Sequence, residues 1–255
     1  TQLMRSLEDG SIDPSGSELG IFLKHLGPAS MPVLLQSIER TEVQALQERL
    51  RTAMEGLAGA HRDELVALLS SQDPQVLRGA ARLAGQLAIN QSAPALANLL
   101  THADASVRRV AVESLIRIRT ALALDAIQRA LGDDDRDVRI AAARGLATLR
   151  YAPARPRIEE MLESKVVRDA DLTEKIAFFE AYGAVATPES IALLDRMLNG
   201  RKLFGRESPE MRACAAMALG RVGSPAAKAS LQKASGEANP IVRNAVMKAL
   251  RQEPA

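Results

Sequence analysis

The sequence has few aromatic residues. Its 255 positions include four Phe, two Tyr and no Trp, which together make up 2% of the chain. A globular core normally relies on such rings, because each of them buries about 150–250 Å² of surface. Hydrophobic residues nevertheless account for 47% of the chain. The core must therefore consist of many small contacts among Ala, Leu, Val and Ile, as in helices that approach one another closely.

The chain also has little cysteine and a small net charge. The one cysteine, Cys214, excludes an internal disulfide framework and is typical of a reducing compartment, so we expect a cytoplasmic protein. The 33 basic and 31 acidic residues leave a formal net charge of +2. This balance excludes a uniformly basic coat for nucleic acid or anionic lipid.

Long hydrophobic runs are absent as well. The longest stretch without Asp, Glu, Lys or Arg is residues 83–103, and Gln, Asn, Pro and His interrupt it, so we expect no membrane insertion. The N-terminus has no basic segment followed by an apolar one, as a secretion signal would have. Because the chain begins at Thr1 rather than Met, we expect it to be part of a longer protein.

A short pattern recurs along the chain. Asp is followed three positions later by Val at Asp73–Val76, Asp104–Val107 and Asp135–Val138, and successive copies are 31 residues apart. The same frame returns less clearly at three further positions: Glu174, Met211 and Val242. A repeat period of this length predicts a repeat protein. Two of the later intervals are 36 and 37 residues long, which indicates insertions in two units.

Within one copy the hydrophobic residues follow the period of an α-helix. One stripe of positions i, i+3, i+4, i+7, i+8 and i+11 comprises Val107, Val110, Ala111, Ser114, Leu115 and Ile118. Asp104 precedes this stripe, where a carboxylate can accept hydrogen bonds from the first amide groups of the helix. A shorter apolar helix is predicted ahead of each long one. Each copy is therefore expected to be two antiparallel helices that bury their stripes against neighbouring copies.

These features resemble the HEAT family, in the short bacterial form also known from phycobilisome-lyase-like repeats. The resemblance is carried by the pattern D-x-x-V-R-x-x-A-x-x-x-L at Asp104–Leu115 and Asp135–Leu146, and by the Leu-Gly helix ending at Leu219–Gly220. It implies an all-α fold, an α-solenoid with a right-handed superhelix of about seven antiparallel helix pairs. We expect residues 61–255 to form this HEAT-repeat solenoid and residues 1–60 to form an N-terminal cap or degenerate helical repeats.

A ladder of basic residues follows the repeat position in five copies: Arg108, Arg139, Lys175, Arg212 and Arg243. Such a ladder could follow a phosphate backbone. The resemblance instead implies that each side chain pairs with an Asp or a backbone carbonyl of the adjacent unit. In the fourth copy Glu174, Phe178 and Tyr182 replace Val, Ala and Leu, so we expect irregular packing there.

The sequence contains no catalytic constellation. The three histidines, His25, His61 and His102, lack the spacing of a metal site. The absence of a His-Glu dipeptide argues against the di-iron deoxyhypusine hydroxylases, which are HEAT-like enzymes that depend on such pairs. The scarcity of aromatic rings argues against the HEAT-like DNA glycosylases. A bilin lyase stays an alternative on the shared repeat pattern alone, and we expect a non-enzymatic protein without cofactor or metal.

Two insertions are the strongest indication of a binding site. They lie between the first and second helix of consecutive copies, over residues 163–172 and 199–209, and equivalent loops in a solenoid emerge side by side. Their candidate partner-binding residues are Lys165, Arg168, Arg201, Lys202, Phe204 and Arg206. We expect a basic patch with an apolar centre, because loops on a rigid scaffold often carry function. The alternative is two surface loops whose apolar residues pack back onto their own helices.

A second candidate surface lies five positions after the repeat residue, at Ala81, Val112, Ala143, Phe179, Ala216 and Met247. If these residues face outward, they line a shallow apolar groove for a partner helix, and Phe179 is for that reason a candidate partner-binding residue. The favoured interpretation is lateral packing between neighbouring long helices.

Together these features predict a protein–protein interaction or scaffold module from a bacterial cytoplasm. The expected partner is a protein, and we expect no small-molecule substrate. The alternative is a nucleic-acid-binding HEAT array that uses the basic C-terminal third. From residue 200 onward the sequence contains ten basic and four acidic residues.

Overall fold

The computed structural model describes residues 17–200 and 206–251. Within those residues the chain forms sixteen α-helices and no strand. In chain order the helices are α1 Ser17–Lys24, α2 Met31–Arg40, α3 Gln44–Ala60, α4 Arg62–Ala67, α5 Pro74–Gln86, α6 Ala93–Asn98, α7 Ala105–Ile118, α8 Ala121–Arg129, α9 Arg136–Leu149, α10 Arg155–Glu163, α11 Lys165–Arg168, α12 Leu172–Ala184, α13 Ser190–Asn199, α14 Pro209–Val222, α15 Pro225–Lys233 and α16 Pro240–Arg251. Short 3-10 turns are Pro28–Ser30, Leu68–Ser70, Asn90–Ser92, Leu99–Thr101, Ala130–Gly132 and Ala152–Ala154.

The helices form pairs, and the pairs belong to two compact units. The first unit, residues 1–123, contains α1 and the pairs α2/α3, α4/α5 and α6/α7. The second unit, residues 124–255, contains the pairs α8/α9, α10/α12, α13/α14 and α15/α16, with α11 inserted between α10 and α12. These seven pairs confirm the all-α class and the number of pairs predicted for the α-solenoid. The expected cap or degenerate repeats over residues 1–60 stay a prediction.

The aspartates of the repeat pattern begin the second helix of their pairs. Asp73, Asp104 and Asp135 each accept a hydrogen bond from the backbone N–H two residues later, at 2.8–2.9 Å. Asp171 does the same ahead of α12, although its copy departs from the pattern. Each carboxylate pairs with an amide group that has no partner within the helix, and its charge lies at the positive end of the helix dipole.

Three arginines of the basic ladder hold the turn between the two helices of a pair. Arg139 Nη1 donates hydrogen bonds to the carbonyl oxygens of Asp133 and Asp134, at 2.7 and 2.8 Å. Arg108 and Arg243 make the same two bonds to the carbonyls five and six residues before them, at 2.8–3.2 Å. The three residues therefore have a structural role, but the prediction that they pair with the adjacent unit is wrong for these carbonyl bonds. The accepting carbonyls belong to the arginine's own pair rather than to the adjacent one.

A buried ion pair joins α9 to α12. Glu174 occupies the position that is Val in the first three copies, and its side chain is 2% exposed. Its carboxylate accepts two hydrogen bonds from Arg139, with Nε–Oε1 at 2.5 Å and Nη2–Oε2 at 3.0 Å. Phe178 and Tyr182 of the same helix are fully buried, and burial raises the pKa of Tyr182 to about 12. The fourth copy thus places its larger residues inside the core.

Neighbouring second helices approach closely at a glycine that recurs nine positions after the repeat residue. A Cβ atom added to Gly85 of α5 would lie 2.7 Å from the Cα of Ser114 in α7. A Cβ added to Gly220 of α14 would lie 3.0 Å from the Cα of Ala249 in α16, and Gly183 of α12 meets Ala218 in the same way at 3.4 Å. These contacts involve backbone atoms, so a larger side chain would push two helices apart.

Replacing Gly85 by Ala should lower the free energy of unfolding by about 1–3 kcal/mol, because the added methyl group overlaps the backbone of α7. Gly56→Ala is the matched control: Gly56 lies in α3, and a Cβ there meets no atom within 4 Å. That control should raise stability by about 0.5–1 kcal/mol through helix propensity. Urea titrations followed by circular dichroism measure both values, and equal effects of the two substitutions would contradict the close-approach argument.

Removing Arg139 should lower the free energy of unfolding more than removing its buried partner Glu174. Arg139→Leu leaves the Glu174 carboxylate buried without its cation and should cost about 3–5 kcal/mol. Glu174→Val restores the residue of the other copies and leaves Arg139 its two carbonyl bonds, so it should cost less than about 2 kcal/mol. Unfolding titrations of the two variants and the double variant test this order, and a costlier Glu174→Val would refute it.

Candidate functional site

The exposed face of the second helices lies mainly six positions after the repeat residue, where five of the six copies are exposed; two positions after the repeat residue, Ile140 is buried and Ile176 is exposed. Five positions after the repeat residue, all members of the first five copies are at most 1% exposed: Ala81, Val112, Ala143, Phe179 and Ala216. Their burial agrees with lateral packing, the favoured interpretation of this position. Met247, its counterpart in α16, is 41% exposed. Phe179 consequently lines the base of a groove and does not project toward a partner.

A groove runs along α14 in the second unit, with α12 on one side and α16 on the other. Its volume is about 930 Å³. The floor consists mainly of small or unbranched residues of α14, namely Ala213, Cys214, Met217, Ala218 and Gly220. The groove exists because these residues stand lower than the side chains of the flanking helices.

The walls of the groove expose large apolar side chains. Leu172 and Ile176 of α12 are 52% and 38% exposed, and Ile241 of α16 is 51% exposed. The repeat position of Ile176 is occupied by Arg78 and Arg109 in the first two copies. Contiguous exposed apolar surface of this kind typically marks an interaction site.

Three charged residues stand at the rim near the C-terminal ends of the helices. Glu180 belongs to α12, Arg221 to α14 and Lys248 to α16. Glu180 and Lys248 occupy the same repeat position, six after Glu174 and Val242, so they lie on opposite walls at the same level. Neither of these two residues nor Arg221 forms an ion pair with another residue that the structure describes. Most of the other described arginines bind a carboxylate or a carbonyl oxygen.

The thiol at the floor of the groove is chemically inert. Cys214 is 4% exposed, and burial raises its pKa to about 11. Because the thiolate is the reactive form of cysteine, this group supplies no nucleophile near neutral pH. Across residues 17–200 and 206–251, no cluster of His, Cys, Asp and Glu could hold a metal ion. No helix in these ranges is long and apolar enough to cross a membrane.

The two insertions meet, as the repeat frame predicts. The first contains α11, and Arg168 at the end of this helix lies 3.4 Å from the carboxylate of Glu207 in the second insertion. Arg206 lies 2.9 Å from Glu237. Lys165 is exposed. The remaining candidates of the basic patch, Arg201, Lys202 and Phe204, lie outside the described residues.

The charges of this edge are therefore partly neutralised by acidic neighbours. Arg168 faces Glu207, and Glu237 accepts hydrogen bonds from both Arg206 and Arg212. Arg212 also donates to the carbonyl oxygen of Leu198 at 2.9 Å, across the second insertion. Basic residues of the C-terminal third thus hold the turns of the structure, and nucleic-acid binding by this region stays a prediction.

The groove itself was not predicted from the sequence. The candidate apolar surface considered in the sequence lay five positions after the repeat residue, whereas the exposed large apolar residues of the groove are Leu172, Ile176 and Ile241. A signal for them exists in the sequence. The residue two positions after the repeat residue is Arg in the first two copies and Ile176 or Ala213 in later ones.

Comparison with known proteins identifies the repeat. The family model described as HEAT repeats matches residues 62–147, 92–175 and 180–251. Among the curated proteins, no relative matches the chain. Among solved structures, Kap121p bound to Ste12p is similar with a TM-score of 0.57 and 15% identity, over 97% of this chain and 32% of that one. This likeness concerns the fold alone.

Two further solved structures are similar over most of their length. The complex of CpcE and CpcF of phycocyanin lyase from Nostoc sp. PCC7120 is 21% identical with a TM-score of 0.43, and the match covers 89% of this chain and 94% of that one. Human deoxyhypusine hydroxylase in complex with glycerol is 18% identical with a TM-score of 0.40, over 98% and 96% of the two chains.

The cluster of Glu237 with two arginines should make stability depend on pH. The hydrogen bond from Arg212 and the charges of Arg212 and Arg206 lower the pKa of Glu237 to about 2. A carboxylate whose pKa falls on folding stabilises the fold above its unfolded pKa and loses this contribution as pH falls toward the folded value. Glu237→Gln should therefore cost about 1.5–3 kcal/mol near pH 7 and almost nothing near pH 2.

Denaturant titrations of wild type and Glu237→Gln at several pH values between 2 and 7 measure this difference. Glu160→Gln serves as the control, because Glu160 is exposed and pairs only across one helical turn with Arg157. That exposed pair should contribute less than about 1 kcal/mol at any pH. A pH-independent effect of Glu237→Gln would contradict the assignment.

Proposed function

The chain belongs to the HEAT-repeat family, and we propose that it is a non-enzymatic protein-binding module. The observation that carries this proposal is the apolar groove along α14. A trough of about 930 Å³ with three large apolar side chains 38–52% exposed on its walls is costly to leave in water. A protein partner that covers the groove would remove this surface from water.

The chemistry of the groove supports binding rather than catalysis. Its thiol is protonated at neutral pH, and its charged groups, such as Glu180 and Lys248, stand at the rim rather than around a buried reacting position. The fold is compatible with this role, since Kap121p, which shares it, is seen bound to Ste12p. The geometry therefore favours a scaffold or adaptor over an enzyme.

The edge formed by the two insertions is proposed as a second contact for the same partner. Its residues are those predicted from the sequence: Lys165, Arg168, Arg201, Lys202, Phe204 and Arg206. The second insertion leads directly into α14, the floor helix of the groove. A partner seated in the groove would thus pass close to residues 206–210 at the beginning of that helix.

A photo-crosslinking experiment tests the groove. A photoreactive phenylalanine analogue is placed at Ile176 in the groove or at Leu122, which is 42% exposed elsewhere, and nuclease-treated lysate of the source organism is irradiated. We expect a protein adduct from position 176 and none from position 122. Adding Met217→Glu, which places a charge on the groove floor, should remove the adduct from position 176.

The outcomes separate the proposal from its alternatives. Equal adducts from positions 176 and 122 would contradict a groove-specific partner. An adduct that forms in a parallel sample of untreated lysate, and does not form after nuclease treatment, would favour the nucleic-acid alternative instead. The double substitution Arg201→Glu with Phe204→Ala tests the edge: reduced adduct formation at position 176 would support a second contact, and unchanged formation would eliminate the edge.

A further inference from the structure

We propose that the groove along α14 holds an amphipathic helix of the partner protein, and that this helix carries one basic and one acidic flank. This inference rests on the proposed function, because it names the chemistry of the partner segment at the same site. Three features support it: the dimensions of the groove, the distribution of its apolar side chains and the opposite charges of its two walls.

The dimensions suit one helix of about three turns. The floor extends from Glu210 to Arg221 of α14, and the eleven rises of 1.5 Å between these two residues correspond to about 16 Å. Both wall helices, α12 and α16, pack directly against α14. Because packed helices lie about 8–10 Å apart, the axes of the two wall helices are separated by roughly 16–20 Å. A helix seated over α14, with a diameter of about 10–12 Å including its side chains, therefore rests on the side chains of both walls.

The apolar side chains are arranged to receive one stripe of such a helix. Leu172 and Ile176 lie one turn apart on one wall, Ile241 lies on the other, and Met217 stands on the floor between the walls. A helix that contributes residues at i, i+3, i+4 and i+7 would contact both walls and the floor at once. A peptide that binds by strand addition would instead need the unpaired backbone groups of an open strand, and the described residues contain no strand.

The two walls differ in charge at one level of the groove. Glu180 on α12 and Lys248 on α16 occupy the same repeat position, with Met217 of α14 between them. Neither forms an ion pair within the described residues, so both are available to a ligand. A helix with Lys or Arg on one flank and Asp or Glu on the other satisfies both walls. A phosphate backbone would be repelled by the acidic wall.

Designed peptides of 14 residues provide the probe. All share one stripe of Leu and differ only in their flanks: one basic and one acidic flank, two basic flanks, or two acidic flanks. Binding to the 255-residue protein is measured by fluorescence anisotropy. We expect the mixed-flank peptide to bind about three- to tenfold more tightly than either of the others, because exposed ion pairs contribute modestly.

Charge reversal on the walls should move this preference in a defined way. Glu180→Lys makes both walls basic and should favour the doubly acidic peptide, whereas Lys248→Glu makes both walls acidic and should favour the doubly basic one. The double variant Glu180→Lys with Lys248→Glu should again prefer the mixed peptide. The exchange swaps the charges of the two walls, and the mixed peptide can bind with its N- and C-terminal ends reversed, so that each flank faces the opposite wall. Ile176→Glu should abolish binding of all three peptides, and Leu122→Glu should leave it unchanged.

The possible failures are distinguishable. Equal affinities for the three peptides, or no recovery of the mixed preference in the double variant, would overturn the flank assignment. Binding that survives Ile176→Glu would place the peptide elsewhere. Concentration-dependent dimers abolished by Ile176→Glu would show a second copy of the chain as the occupant. If no peptide binds while crosslinking at position 176 still captures a partner, the helical occupant fails and the proposed function stands.

Discussion

The structure depends on how closely neighbouring second helices can approach. At Gly85 against Ser114 and at Gly220 against Ala249, an added Cβ would fall within 3.0 Å of the neighbouring residue. Helices that approach this closely need small residues at the contact points, which agrees with a chain in which only 2% of the residues are aromatic. The same requirement for small residues keeps the exposed ridge of α14 low. The groove is therefore a by-product of the packing rule that holds the repeats together.

Polar side chains supply hydrogen bonds to the backbone groups of the turns, which the small apolar residues of the core cannot do. Aspartates such as Asp104 supply acceptors to the first amides of the second helices, and Arg139 and its counterparts supply donors to the carbonyls of the turn. In the pairs that contain Arg108, Arg139 and Arg243, residues of the pair itself thus hold the connection between its two helices. The charges at the groove rim are different in kind, because Glu180 and Lys248 take no part in such a connection among the described residues.

The helix pairs, their aspartate caps and the role of the ladder arginines could be predicted from the sequence, because each depends on residues close together in the chain. The binding face could not be predicted in the same way. At about 100° per residue, the fifth and sixth positions lie about 140° and 120° from the repeat residue, on opposite sides of the helix. The angle alone therefore does not tell which side a neighbouring helix covers, and the structure is needed to show that the fifth position is buried in five copies and the sixth is exposed in five.

The charges of the two insertions also depend on contacts between residues that are far apart in the sequence. Their juxtaposition followed from the repeat frame, and the contact between Arg168 and Glu207 agrees with it. The partial neutralisation of their basic residues did not follow, because Glu237 lies 31 residues beyond Arg206 and reaches it only through the stacking of pairs. Charge counted along the sequence therefore overstated the positive charge of this edge.

The placement of the tyrosines gives the chain a built-in optical reporter. Without tryptophan, its ultraviolet emission comes from two tyrosines, Tyr151 and Tyr182, and both belong to the second unit. Tyr182 is fully buried in α12, the helix that forms one wall of the groove. Intrinsic fluorescence therefore follows the half of the molecule that carries the groove and is blind to the other half. Circular dichroism follows both halves, so a divergence between the two signals would resolve their separate melting without any label.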